Sequence, residues 1–167
     1  ANWPIVCVQL PIYNERYVVR RLIRSIVQLD YPKDKMQIQV LDDSTDNTSW
    51  LVRRLVRLLK TKGYWIDHLQ RENREGYKAG ALSYGLKKSR ADFIAVFDAD
   101  FFPDPDFLKQ TIPYLLQDNI GMVQTRWCHA NRGYSLLTRL QAIFLDAHFT
   151  IEHLARNRSG RFFNFNG

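Results

Sequence analysis

Short apolar runs alternate with amphipathic ones along this chain. Ile5 to Leu10 (IVCVQL) is a β-branched run closed by Pro11, the pattern of a strand buried on both faces. From Glu15 to Leu29 the apolar residues Val19, Leu22, Ile23 and Ile26 recur at helical spacing, Arg16, Arg20, Arg21 and Arg24 take the other side, and Tyr31-Pro32 stops the run. The cycle then repeats. Gln37 to Leu41 predicts a second strand, Asp42 to Asn47 a turn of small polar residues, and Leu51, Leu55, Leu58 and Leu59 the apolar stripe of a helix that Gly63 ends. Ile66 to Gln70 reads as a third strand, Asn73 to Gly76 as a loop, Tyr77 to Lys88 as a helix and Asp92 to Phe97 (DFIAVF) as a fourth strand. Asp104 before Pro105 has the form of an N-cap with Pro at the first helical position, and Gly121 to Thr125 that of a further strand. Tyr134 to His153 is a long amphipathic helical pattern, suited either to packing on a core or to lying in a membrane interface.

Strands alternating with helices at this spacing predict an α/β fold with a doubly wound, mostly parallel sheet. In such sheets ligands bind beyond the carboxyl ends of the strands. The polar clusters Tyr13 to Glu15, Asp42 to Asp46 and Asp98 to Asp100 each fall just after a predicted strand. With 167 residues, 46% of them hydrophobic, and neither an internal repeat nor a linker, the chain reads as one domain over 1–167. Its two cysteines, Cys7 and Cys128, exclude a disulfide scaffold and a four-cysteine zinc site, so a reducing compartment is the expectation.

The longest stretch free of Asp, Glu, Lys and Arg, Ala1 to Asn14, contains two prolines and is too short to cross a membrane. Ala1 stands where an initiator Met would, and Gly167 follows an aromatic run, so an excised fragment is expected. The 24 basic and 17 acidic residues give a net charge of +7, which invites an anionic partner unless the arginines merely cover outer helix faces.

Four clusters carry candidate chemistry. Asp98-Ala99-Asp100 follows the apolar run FIAVF, and in extended backbone residues two apart face the same side, so two carboxylates could grip one Mg²⁺ or Mn²⁺; alone, the pattern also fits a solvated turn. Asp42-Asp43-Ser44-Thr45-Asp46 offers acids at a strand end for a base or ribose hydroxyl, with Ser44 or Thr45 expected to cap the next helix; Asn14-Glu15 can be read the same way, or with Asn14 as an N-cap. Lys78 lies in a glycine-bearing stretch, Arg74 to Gly80, where backbone can approach a ligand and an ammonium can offset phosphate charge. Neither G-x-x-x-x-G-K-[ST] nor G-x-G-x-x-G is present, which removes the phosphate-loop and dinucleotide readings.

Together these elements resemble the family-2 inverting glycosyltransferases, and more narrowly the membrane-embedded processive enzymes that are cellulose-synthase-like and glucomannan-synthase-like. The match is carried by Pro11 to Glu15, Leu41 to Asp46, Arg71 to Leu82, Asp98-Ala99-Asp100, Val123 to Trp127 and Phe162 to Gly167. The resemblance implies a GT-A-like nucleotide-diphospho-sugar transferase fold, truncated at its C-terminal end. It implies that Tyr13 and Glu15 line a uridine or guanosine pocket, that Asp42 and Asp43 hold the base, that Lys78 approaches the diphosphate and that Asp98 and Asp100 bind the metal, Asp98 also touching the donor. Implied too are a UDP- or GDP-sugar donor, a polysaccharide acceptor, no nucleic acid, and the cytoplasmic face of a membrane reached through other parts of the protein. The family's general base, expected beyond Gly167, is not assigned. Nor is its Gln-x-x-Arg-Trp motif, since Gln124-Thr125-Arg126-Trp127 has one intervening residue too few. Trp127 and Phe163 suit stacking on sugars, a core or a membrane contact.

Two other classes stay open at this level. A nucleotidyltransferase could use a related fold and an acidic metal pair. A nucleic-acid-binding domain would explain the charge but asks for a basic face interleaved with aromatics, whereas these arginines mostly sit opposite apolar helical stripes.

Overall fold

In the computed structural model, which describes residues 2–125, strands and helices alternate. β1 (Val6–Ile12), α1 (Val19–Val27), β2 (Met36–Asp42), α2 (Thr48–Thr61), β3 (Ile66–Gln70), α3 (Tyr77–Leu86), β4 (Phe93–Val96) and α4 (Phe107–Leu115) follow in order. The sheet runs β3-β2-β1-β4, and every neighbouring pair is parallel. The chain steps outward from β1 to β3, then crosses back to lay β4 on the free side of β1. Strand order therefore reverses at β1, and the carboxyl ends of all four strands share one rim. The chain separates into two compact units, Ala1–Ile120 and Gly121–Gly167, and all eight elements belong to the first.

Side chains alternate across the sheet, and the two faces differ in chemistry. Val6, Val8, Leu10 and Ile12 of β1 join Ile38 and Val40 of β2 in a core with Val19, Leu22, Ile23 and Ile26 of α1, Val52 and Val56 of α2, and Leu108 and Ile112 of α4. At about 1.5–3 kcal/mol for each such side chain, this face carries most of the stability. The opposite face holds Cys7, Gln9, Gln37 and Gln39, all buried. There Gln9 Nε2 donates to Gln39 Oε1 at 3.0 Å and to the Leu82 carbonyl of α3 at 3.4 Å, because β1 and β2 pair Gln9 with Gln39 in register. Gly85 permits the close approach of α3: a Cβ there would lie 2.6 Å from Gln9 Nε2 and 2.7 Å from Gln39 Oε1.

Several boundaries differ from the sequence pattern. α1 starts at Val19 because the Glu15 carbonyl first accepts the N–H groups of Val18 and Val19, forming a turn. In α2 the buried row is Thr48, Val52 and Val56; Leu51, Leu55 and Leu59 flank it, and Leu58 is 52% exposed. Neither Ser44 nor Thr45 caps α2; the Asp46 carboxylate accepts the Thr48 N–H at 2.8 Å instead. The Asp104 carbonyl accepts the Phe107 N–H in a preliminary turn, so α4 begins at Phe107. Residues 121–125 form no strand. The expectations for Tyr134 to His153, Trp127, Phe163 and the Phe-Asn-Gly segment lie outside the described residues.

Candidate active site

One segment crosses the rim. Leaving β3, residues 71–78 carry three basic side chains that meet the ends of β2, β1 and β4 in the spatial order of those strands. Arg71 donates from Nε to Asp43 Oδ1 at 3.0 Å, and its Nη2 pairs with Asp43 Oδ2, just beyond β2. Arg74 lays its guanidinium 3.4 Å from the ring centroid of Tyr13, just beyond β1. Lys78, in the first turn of α3, brings Nζ to 2.6 Å from Asp98 Oδ1, beyond β4. The pleat explains the selection: Tyr13 continues the series of Cys7 and Gln9, and Asp43 that of Gln37 and Gln39, on the face that α3 covers.

The path of this segment is fixed by Arg71. Its Nη1 donates to the Glu75 carbonyl at 2.7 Å and its Nη2 to the Tyr77 carbonyl at 3.0 Å, so one guanidinium holds both Asp43 and the entry to α3. The hydrogen bond to Asp43 raises the Arg71 pKa above its ordinary value. Gly76 (φ 68°) and Tyr77 (φ 47°) turn the chain in the left-handed region, which costs a non-glycine residue roughly 1–2 kcal/mol. Gly80 is required by the same turn, since a Cβ would stand 2.0 Å from the Glu75 carbonyl oxygen.

Asp42 turns away from Asp43. Its carboxylate is fully buried on the other face, taking a 2.7 Å contact from His68 Nε2 and the Ser44 N–H at 2.9 Å. Burial pushes its pKa up, but the hydrogen bonds from His68, Ser49 and Ser44 outweigh it and hold the carboxyl below the usual range. Asp42 thus shapes the loop, and Asp43 is the acid on the side of Arg71. Asn14 is not an N-cap; at φ 57° it donates its N–H to Ser44 Oγ at 2.9 Å and accepts the Thr45 N–H at 2.9 Å, stitching the β1 and β2 ends together. Glu15 stands at the start of α1, and its carboxylate makes no hydrogen bond or ion pair among the described residues.

Asp98 and Asp100 project from a turn and not from an extended strand. β4 ends at Val96, and the Phe101 N–H returns to the Asp98 carbonyl at 3.0 Å. Phe97 and Phe101 stack at 5.3 Å and pack against the core, anchoring the turn on either side of the acids. Asp98 is partly exposed and Asp100 exposed. Two hard oxygen donors on one turn suit Mg²⁺ or Mn²⁺ by their chemistry, since such an ion commonly takes one or two carboxylates and fills its other positions with phosphate oxygens and water. Among the described residues no group of three or more His, Cys, Asp and Glu could hold a metal ion.

The sequence reading gave no role to Arg71, Arg74 or His68. The first two lie in the segment Arg71 to Leu82 that carries part of the resemblance, and the strand parity that sorts Asp42 from Asp43 is the available signal. An open groove of about 850 Å³, lined by Arg71, Glu72, Glu75, Ser83, Tyr84 and Lys87, flanks the crossing segment and includes none of the predicted site residues.

A parallel sheet reversing at β1, with acids on its rim, is the architecture of the GT-A-type glycosyltransferases. The sequence matches glycosyl transferase family 2 over residues 7–165, and the chain belongs to that family. It is 46% identical over its whole length to glucomannan 4-beta-mannosyltransferase 2 of Arabidopsis thaliana and 43% identical to glucomannan 4-beta-mannosyltransferase 1 of Oryza sativa subsp. japonica. It covers 32% and 33% of those proteins, about a third of their length. The fold is similar to that of mannosyltransferase PcManGT from Pyrobaculum calidifontis in complex with GDP-Man and Mn²⁺, with a TM-score of 0.65 and 31% identity over 71% of this chain and 34% of that one. Staphylococcus aureus TarS 1–349 in complex with UDP-GlcNAc shares the fold, with a TM-score of 0.59 and 21% identity over 75% of this chain and 38% of that one.

Proposed function

We propose that residues 1–167 form the nucleotide-sugar-binding part of a catalytic domain that transfers a hexose, with inversion, from a nucleotide-diphosphate sugar to a growing β-linked polysaccharide. The family match from 7 to 165 supports treating both compact units as parts of that domain. The observation that carries the reading is the crossing segment, which gathers Tyr13, Asp43 and Asp98 from three strand ends under three cations. GDP-mannose is the favoured donor, because the similar plant proteins are named glucomannan mannosyltransferases and PcManGT was solved with GDP-Man and Mn²⁺. The proposed setting is the cytoplasmic face of a membrane; among the described residues no helix is long and apolar enough to cross one.

In this reading Tyr13 and Asp43 bind the nucleoside, Glu15 closes the pocket on the α1 side, and Lys78 faces the diphosphate. Asp98 and Asp100 would hold the divalent ion. When bound, that ion offsets the negative charge gathering on the departing nucleotide. Arg71 keeps Asp43 and the α3 entry in place, so that the nucleoside and diphosphate contacts stay at a fixed separation.

Calorimetric titration with GDP and with UDP, each with and without Mn²⁺, tests the proposal. GDP is expected to bind more tightly than UDP, only with the metal, and at least tenfold more weakly in folded Asp98→Ala and Asp100→Ala proteins. Metal-independent binding, or unchanged affinity in those variants, would overturn it.

A further inference from the structure

We infer that Lys78 is a built-in stand-in for the divalent ion: its ammonium neutralises Asp98 while the site is empty, then moves to the diphosphate when metal and donor enter. The inference rests on the proposed function and deepens it. Its basis is the contrast between two ion pairs on one segment. Arg71 and Asp43 are 11% and 7% exposed, and the guanidinium is fixed by four hydrogen bonds, so that pair is a permanent brace. Lys78 and Asp98 are 34% and 27% exposed, and their single contact joins Nζ to Oδ1 at 2.6 Å. A partly exposed lysine pair held by one contact is weak, and the side chain is a point charge on a flexible stem.

The geometry allows the ammonium to leave without moving the backbone. Residue 78 follows directly on Tyr77, whose carbonyl Arg71 holds, and on the Gly76 turn that Gly80 accommodates. Asp100, with no hydrogen bond or ion pair among the described residues, remains open as the first landing point for an incoming cation. Asp98 would be one of the residues holding a divalent ion, and its partner Lys78, of like charge to the ion, would then be repelled from the carboxylate. In the proposed loaded site the diphosphate would offer that ammonium an anionic partner. The exchange keeps the rim close to neutral in the empty state, where Asp98 and Asp100 would otherwise repel one another, and it releases one cation for the donor in the loaded state.

This predicts effects of opposite sign from one substitution, which a merely structural lysine would not give. In Lys78→Met protein, Mn²⁺ alone, followed by water proton relaxation, is expected to bind roughly two- to fivefold more tightly, the factor that an exposed ion pair is worth. GDP in the presence of saturating Mn²⁺ is expected to bind at least fivefold more weakly. In an Asp98→Asn background the gain in Mn²⁺ affinity on replacing Lys78 is expected to vanish, which separates direct exchange from a general change of charge. Equal or weaker Mn²⁺ binding in Lys78→Met, no detectable Mn²⁺ binding with or without the lysine, or persistence of the gain in the Asp98→Asn background would each overturn the exchange. If wild-type protein still binds GDP with Mn²⁺, the donor-site reading survives that failure; if it does not, the reading itself fails.

Discussion

At the scale of single residues, the acids at the end of β2 divide the labour between two faces of the sheet. Asp42 is buried against His68, and its pKa lies below the ordinary aspartate value of 3.8. Its stabilising effect is therefore present above that value and is lost as the pH falls through the lower folded-state pKa. Asp42→Asn is expected to cost about 1–3 kcal/mol at pH 7, with the difference shrinking below pH 3.8; urea denaturation at pH 7 and pH 3 checks it. Arg71→Lys keeps a charge but loses the fork that reaches Asp43, Glu75 and Tyr77 together. About 2 kcal/mol of stability should go with it, and nucleotide affinity should fall, as a thermal melt and a GDP titration would show. The adjacency of Asp42 and Asp43 is plain in the sequence, but their separate tasks depend on which face each side chain takes. That parity is written in Val6, Val8 and Leu10 alternating with Cys7 and Gln9, and both faces are buried, but only the strand ends show which face each acid joins.

Among the elements, the buried face of α1 is legible, because Val19, Leu22, Ile23 and Ile26 leave one arrangement that buries them all, whereas its start at Val19 is set by the turn at Glu15. The buried face of α2 is not: leucines occur on more than one side of it, and only contact with the sheet decides that Val52 and Val56 form the central row. The turn at Asp98 differs from the extended backbone that the sequence pattern predicts, because nothing in FDADF shows that Phe97 and Phe101 both return to the core. α3 gives the sharpest test at this scale. Gly→Ala in a helix ordinarily stabilises by up to about 1 kcal/mol. Gly80→Ala should do the reverse, by roughly 1–3 kcal/mol, since its Cβ would strike the Glu75 carbonyl 2.0 Å away. Circular dichroism melts of Gly80→Ala against a conservative change at exposed Ser83 would measure the sign, and a stabilised Gly80→Ala protein would refute the packing argument.

Across the whole first unit, stability is uneven. β1 and β2 are buried almost throughout, whereas the four residues of β4 are only partly buried or exposed and α3 buries just Ala81 and Gly85. Hydrogen–deuterium exchange should therefore find the slowest amides in β1 and β2, and faster opening in 71–86 and 93–100. Addition of GDP and Mn²⁺ should slow exchange chiefly in those last two stretches; protection spread evenly over the sheet would contradict this layout. The position of β4 has an effect of its own during synthesis. Because β1 lies between β2 and β4, β1 must wait for some eighty residues of further synthesis before its second neighbour arrives, keeping one backbone edge unpaired meanwhile. Chaperone dependence and the risk of wrong pairing should peak in that interval, and no nascent chain that stops short of β4 can assemble both walls of the crevice.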